Sequence, residues 1–238
     1  MIKEIIQKEK FNPGVIGFFI NYNYLIRKPL FNNIKLNSKY LTGKVLDFGC
    51  GTKPYKKYFN NVKEYIGVDY QIEGRYDTQK EVDVFYDGKS IPFNNETFDS
   101  LLCTEVLEHV FNVEELLLEL NRVLKTNGYA LITTPFMWEE HEMPYDFARY
   151  TTPALLHLYK KNGFEIVNHN KTGNSLRVIY QFRLNYLKNI LPSNKYVKFI
   201  MLFPFIFITN LFCVSFEMIL PKDKTTYFNN VFVLKKIK

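Results

Sequence analysis

Short apolar runs recur along the middle of the chain and predict strands. Lys44–Gly49 (KVLDFG), Glu64–Tyr70 (EYIGVDY), Val82–Asp87 (VDVFYD), Phe98–Thr104 (FDSLLCT) and Tyr129–Thr134 (YALITT) are the first five. Phe164–Val167 and Tyr227–Leu234 (YFNNVFVL) are the sixth and seventh. Near-continuous apolar runs of this length suit strands covered on both faces. Between the fourth and fifth, Val113–Lys125 places Leu116, Leu117, Leu120, Val123 and Leu124 at helical spacing, with Asn127-Gly128 as its stop. Thr152-Pro153 opens another helix, ALLHLYKKNG, which ends at Gly163. Strands alternating with helices predict an α/β fold with a mainly parallel sheet and helices on both faces. Such sheets bind ligands at the carboxyl ends of their strands.

The two ends of the chain follow other patterns. Residues 1–42 are expected to form a helical extension, broken at Asn12-Pro13-Gly14 and aromatic-rich from Val15 to Leu30. Residues 43–170 hold the sheet pattern and 226–238 its last strand, so 171–225 is an insertion. Leu176–Leu191 mixes Arg177, Arg183 and Lys188 with apolar residues, whereas Phe199–Phe216 runs 18 residues without a charge. That is long enough for a transmembrane helix. A single crossing conflicts with strands six and seven sharing one sheet, and a second crossing would drag two arginines and a lysine through lipid. A helical hairpin lying in or dipping into a membrane face, with its basic residues on lipid phosphates, satisfies both constraints. A homodimer interface, or a cap over the site, is the alternative.

Charge sharpens this division. Residues 45–170 carry a net −8, while 1–44 carry +6 and 171–238 carry +9. Basic flanks favour an anionic partner. They lie beside apolar stretches and no RNA-binding module is visible, which favours lipid over nucleic acid. Three scattered cysteines (Cys50, Cys103, Cys213) without a CxxC pair argue against a disulfide framework or a zinc knuckle, so no metal is expected and the setting is reducing. The N-terminus, with alternating charge and no apolar run, does not resemble a secretory signal.

The chemistry concentrates after the strands. Asp47, Gly49, Cys50 and Gly51 follow the first, and two glycines one residue apart permit a tight turn and close backbone approach to a ligand. Asp69 ends the second strand, 22 residues after Asp47, where an acid can take both hydroxyls of a ribose. Nicotinamide-binding proteins share this layout, but Gly51 is followed by Thr52, Lys53 and Pro54 with no third glycine. Pro54 suits a helix start.

Taken in order, VLDFGCGTKPY, YIGVDY and DVFYDGKSIPFNNETFDSLLCTEVLEHV resemble successive motifs of class I S-adenosylmethionine (SAM)-dependent methyltransferases, in particular the ubiquinone/menaquinone methyltransferase-like group. The resemblance covers roughly residues 43–170. It implies a Rossmann-like three-layer α/β/α sandwich with a seven-stranded, mainly parallel sheet whose last strand is antiparallel. It further implies SAM as cofactor. Gly49 and Gly51, with Cys50 between them, would face its methionine part, Asp47 its amino group, Asp69 and Tyr70 its ribose, Asp87 and Gly88 its adenine. Thr104 and Glu105 would border the transferring methyl. Glu108 reads as the solvated face of a helix start. His109 is a candidate base or a fold-supporting residue. Pro135–Tyr150 adds Trp138, His141, Asp146 and Arg149 where a ligand-facing loop belongs, and resembles methyltransferases that accompany surface-polysaccharide synthesis. His141 or His109 would then assist deprotonation and Arg149 would bind an anionic group; alternatively, Arg149 and Asp146 pair to fix the loop. The expectation is a cytoplasmic enzyme, peripheral on the inner membrane face, that methylates a small-molecule, lipid-linked or polysaccharide-related acceptor. A nicotinamide-dependent oxidoreductase and a SAM-binding protein without catalysis are the rivals.

Overall fold

The apolar runs become strands of one sheet. The computed structural model describes residues 8–70 and 81–238, so the start of the expected N-terminal extension, residues 1–7, lies outside the described residues. The strands are β1 (Gly43–Phe48), β2 (Val62–Tyr70), β3 (Val84–Tyr86), β4 (Phe98–Thr104), β5 (Leu124–Pro135), β6 (Phe164–Thr172) and β7 (Asn229–Lys236). Their order is β3-β2-β1-β4-β5-β7-β6. β1 pairs in parallel with β2 and β4, β2 with β3, and β4 with β5. The β7 end of the sheet runs the other way: Phe228 N–H donates to the Thr172 carbonyl and Ile237 N–H to that of Gly163, so partner numbers fall as they rise. The strand order therefore reverses direction between β1 and β4, which opens a crevice at their carboxyl ends.

Two compact units emerge along the chain: Asn33–Asn170 with Asn230–Lys238, and Met1–Asn32 with Lys171–Asn229. In the first, α3 (Val113–Val123) buries Leu116, Leu117, Leu120 and Val123. They join Leu46, Phe48, Val68, Leu101, Cys103 and Ile132 in one apolar core. Each such side chain contributes about 1.5–3 kcal/mol when fully buried. α4 (Thr152–Lys161) starts at the Thr151 cap, whose side chain accepts from Ala154 N–H, and buries Leu155 and Tyr159.

Two local expectations are corrected. Asn127-Gly128 does not close α3. The helix stops at Val123 and β5 begins at once, because fully buried Leu124 pairs with Phe98. Pairing then jumps to Ser100 with Tyr129, so 125–127 bulge outward, with Asn127 at φ +66°. Nor does Pro54 start an α-helix. Between β1 and β2 the chain makes only a 3-10 turn, Lys56–Tyr58.

The second unit is helical where described: α1 (Val15–Ile20), most of α2 (Tyr24–Asn37), α5 (Ser175–Ile190) and α6 (Lys195–Ile219). Asn174 caps α5 through the Arg177 amide, and Asn194 caps α6 through those of Tyr196 and Val197. Leu184, Leu202 and Ile206 form a small core with Tyr22, Leu187 and Leu191. Arg177 clamps Glu217 through two hydrogen bonds of 2.8 and 2.5 Å. α6 is long and apolar enough to cross a membrane, yet only 28% of its most apolar stretch is buried. Its aromatic and aliphatic side chains therefore largely face outward.

Candidate functional site

The turn after β1 is shaped by its glycines, each for a different reason. Gly49 has φ +73°, and a Cβ there would lie 2.2 Å from Val106 Cγ2. The amides of Gly49 and Cys50 both donate to the Val68 carbonyl, tying the loop across the end of β2. Gly51 has φ +50°, but a Cβ there would meet nothing within 4 Å. Its free side opens onto a cavity of about 490 Å3. Gly51 N–H donates to Asp69 Oδ2 at 2.9 Å, and Asp69 Oδ1 accepts from Tyr70 N–H at 2.8 Å. Two backbone donors thus fix a nearly buried carboxylate in the cavity wall.

Gly49, Gly51, Asp69, Tyr86, Glu105 and His109 are among the residues that wall this cavity, with Tyr70, Gly88, Val106, Phe111 and Tyr145 beside them. Asp47, Cys50, Asp87, Thr104, His141 and Arg149 are not among the described residues that wall it. Asp47 is buried and accepts from the Tyr65 hydroxyl at 2.6 Å. Burial pushes its carboxyl up to about 7, against the pull of the Tyr65 hydrogen bond. The Cys50 thiol is pushed up to about 12 by burial and by Asp47 and Asp69, which leaves it an inert thiol. Asp87 is exposed and accepts from the amides of Lys89 and Ser90, which close a turn and hold its carboxyl below the usual range. Its neighbours Tyr86 and Gly88 reach the cavity instead. Thr104 ends β4, and Glu105 follows at φ +55°, with its carboxylate accepting from Thr133 Oγ1 at 2.7 Å. A non-glycine residue in that conformation is a point of stored strain.

Sequence reasoning missed the support beneath the loop. Lys53 Nζ lies 2.5 Å from Asp83 Oδ2, and the same oxygen accepts from Gly67 N–H at 2.6 Å. A Cβ on Gly67 would lie 2.3 Å from Lys53 Cε, so glycine in YIGVDY makes room for the lysine to cross β2. Only the spacing of Gly67 before Asp69 could have flagged this.

A second cluster centres on the 3-10 turn Leu107–His109. His109 Nδ1 lies 2.8 Å from the Tyr145 carbonyl. A carbonyl only accepts, so Nδ1 carries the proton and Nε2 of the neutral ring keeps its lone pair. The His141 ring meets His109 edge to face at 4.8 Å. His141 Nδ1 lies 3.2 Å from Asp146 Oδ2, and its amide donates to the same oxygen. Burial lowers the His141 pKa. Arg149 grips Asp146 at 2.5 and 2.6 Å and donates to the carbonyls of Ala148 and Glu139. Burial would raise the Asp146 carboxyl, but those hydrogen bonds hold it at about 2. Glu108 is not on a solvated face. It is fully buried beside His109, neither carboxylate oxygen has a hydrogen-bond partner among the described residues, and burial pushes its pKa well up. The turn winds as a 3-10 segment, and this aims position 108 inward, against the expected α-helical start.

Residues 22–169, more than half of the chain, match a family model described as a methyltransferase domain. An uncharacterised protein of Methanocaldococcus jannaschii is 31% identical over 167 residues, which cover 66% of this chain and 71% of its own. The ubiquinone biosynthesis O-methyltransferase of Rickettsia typhi is 28% identical over 130 residues, and the match spans 51% of this chain and about half (53%) of that relative. Among solved structures, Haemonchus contortus phosphoethanolamine N-methyltransferase 2 in complex with S-adenosyl-L-methionine superposes with a TM-score of 0.55 at 15% identity, over 97% of this chain and 59% of that one. At that identity the likeness speaks for the fold alone.

Proposed function

The chain belongs to the class I SAM-dependent methyltransferases, and we propose that it methylates a small-molecule, lipid-linked or polysaccharide-related acceptor at a membrane surface. One observation carries the reading. A single cavity is lined by the glycine turn, Asp69, Glu105 and His109. Its size suits a small-molecule ligand.

The residues present fit the cofactor. The open side of Gly51 leaves room for close backbone approach. Asp69 offers carboxylate oxygens to a ribose, and Tyr70, Tyr86 and Gly88 line the same cavity, where a purine would follow the ribose. Asp47 is not on the cavity wall, and its hydrogen bond from the Tyr65 hydroxyl ties the end of β1 to β2. When bound, S-adenosyl-L-methionine supplies a methyl group on a sulfonium, whose carbon–sulfur bond breaks with both electrons passing to sulfur. The protein's part is alignment and handling of the acceptor's proton. His109 lines the cavity, with its ring fixed by the Tyr145 carbonyl. His141 is oriented by Asp146. Arg149 spends its guanidinium on Asp146 and two carbonyls, so its role is to hold the loop that carries His141. A nicotinamide reading is weaker. The loop after Gly51 runs into a 3-10 turn, so no α-helix N-terminus stands there to take a pyrophosphate.

Membrane contact is the reading of α6. Ile200 (71% exposed), Phe212 (49%) and Met218 (85%) are apolar residues on its surface, and residues 171–238 carry a net +9. An apolar, largely uncovered helix in a basic segment suits the cytoplasmic interface of an anionic bilayer. Methyl-labelled cofactor should place label in lipid-linked or glycan material from extracts. Label confined to protein or nucleic acid would overturn the acceptor reading. Co-sedimentation with anionic vesicles tests the surface reading, which fails if the protein stays in solution or forms a dimer that buries α6.

A further inference from the structure

Glu108 poses a problem that the methyltransferase reading leaves unsolved. A fully buried carboxyl group with neither oxygen hydrogen-bonded is costly unless it keeps a proton or meets a cation. Arg149, the nearby cation, is already neutralised by Asp146. Its other charged neighbours, Glu105 and Asp146, are acids and cannot neutralise it, and the imidazoles of His109 and His141 adjoin it as well. Ligand atoms of Glu108, His109 and His141 all lie within 4.8 Å of one another.

We propose that Glu108, His109 and His141 bind a divalent transition-metal ion of the zinc class beside the acceptor end of the cavity. In each imidazole Nδ1 is already engaged. His109 Nδ1 is taken by the Tyr145 carbonyl at 2.8 Å, and His141 Nδ1 has Asp146 Oδ2 at 3.2 Å and the Arg149 guanidinium at 3.4 Å. Both rings are left with Nε2 as the free ligand atom. Metal-bound histidines characteristically give their other nitrogen to a carbonyl or carboxylate, which fixes the tautomer and orientation. His109 Nε2 already lies 3.8 Å from Glu108 Oε1. Ligands of a zinc ion sit about 2.0–2.1 Å from the metal, so closing the site needs movements of only about an ångström. Two nitrogens and one carboxylate favour zinc, cobalt or iron over magnesium or calcium, which prefer all-oxygen sets.

Three protein ligands leave a coordination position open. His109 is on the cavity wall, so that position is reached from the cavity. The ion deepens the proposed function without depending on it. A hydroxyl oxygen that enters the open position loses its proton to water more readily, and the Lewis acid takes over the work assigned above to the free imidazole. The acceptor class this favours carries a hydroxyl.

The test is metal binding by the full chain, with no cofactor or acceptor present. After chelation and dialysis, Zn2+ and Co2+ should each bind at one per chain, and Mg2+ should not compete. Glu108→Gln and His141→Ala should each weaken Zn2+ at least about tenfold, and Asp146→Asn, which removes an outer partner, about 10- to 100-fold. His157→Ala, at an exposed histidine elsewhere, should change nothing. X-ray absorption on the zinc-loaded wild type should report two imidazole nitrogens at about 2.0–2.1 Å, which keeps the test independent of whether variants fold. Folded wild type without stoichiometric zinc, zinc without imidazole ligands, or unchanged affinity in both Glu108→Gln and His141→Ala would overturn the site. Each of these results leaves cofactor binding, and hence the methyltransferase reading, untouched.

Discussion

The two units of this chain treat apolar residues in opposite ways. In the sheet unit they are spent on burial: Leu46, Leu101, Leu117 and Leu131 have no exposed surface. Its loops are then free to hold polar groups in defined positions, such as Asp69 on Gly51 and Asp146 on Arg149. In the helical unit, α6 leaves Tyr196, Ile200 and Met218 more than two-thirds exposed. A core that is complete within its own unit supports a site; an apolar helix that is not covered calls for a partner. Function in the first unit is written in polar geometry, and in the second as surface still to be covered.

Four perturbations sharpen this contrast, from the largest effect down. Gly49→Ala combines a left-handed φ with a Cβ 2.2 Å from Val106, and should cost about 4–5 kcal/mol in chemical denaturation. A loss below about 1 kcal/mol would mean that the turn relaxes freely. Asp47→Asn comes next and acts through pH. The folded carboxyl titrates at about 7, above its unfolded value near 3.8, so the folded state holds its proton longer. That group's contribution is fully present below pH 3.8 and is lost as pH rises to about 7, at a cost of about 4 kcal/mol. Asparagine has no proton to lose, so the variant should gain on the wild type across that window in ligand-free urea melts. Parallel pH profiles would show that Asp47 titrates normally.

Asp146→Asn breaks a pair whose carboxylate side chain is 1% exposed, and should cost about 3 kcal/mol and loosen the 135–150 loop. An unchanged unfolding midpoint would remove Arg149 from its positioning role. The smallest effect belongs to the other unit. Ile200→Glu with Phe212→Glu on exposed positions of α6 should change stability by about 0.5 kcal/mol or less at each site, yet abolish sedimentation with anionic vesicles. Large destabilisation with vesicle binding retained would reverse the contrast and make α6 a core helix.

The sequence exposed most of the fold because strands buried on both faces are continuous apolar runs, and all seven lie near the predicted positions. It failed where local and tertiary preferences compete. Asn127-Gly128 has the chemistry of a helix stop, but Leu124 pairing with Phe98 ends the helix earlier. Pro54 has the chemistry of a helix start, yet the chain there makes only the 3-10 turn at Lys56–Tyr58. The site was legible where its residues are close in sequence or follow a motif, as with Gly49, Gly51 and Asp69. It was not legible where distant segments meet. Lys53 finds Asp83 across Gly67, and Glu108 and His109 meet His141 only because the ends of β4 and β5 lie side by side. A carboxylate at position 108 looks solvated in a helical count and proves to be the most deeply buried acid of the site.

The central claim is that the Gly51–Asp69 wall holds a nucleoside cofactor of methyl transfer. Calorimetric titration with S-adenosylhomocysteine and with NAD, on wild type and Asp69→Ala, tests it most directly. We predict binding of S-adenosylhomocysteine to the wild type, at least about 100-fold weaker binding to Asp69→Ala, a difference of about 2.7 kcal/mol, and no heat with NAD. Folded protein that ignores S-adenosylhomocysteine, or that binds NAD in its place, would contradict the account.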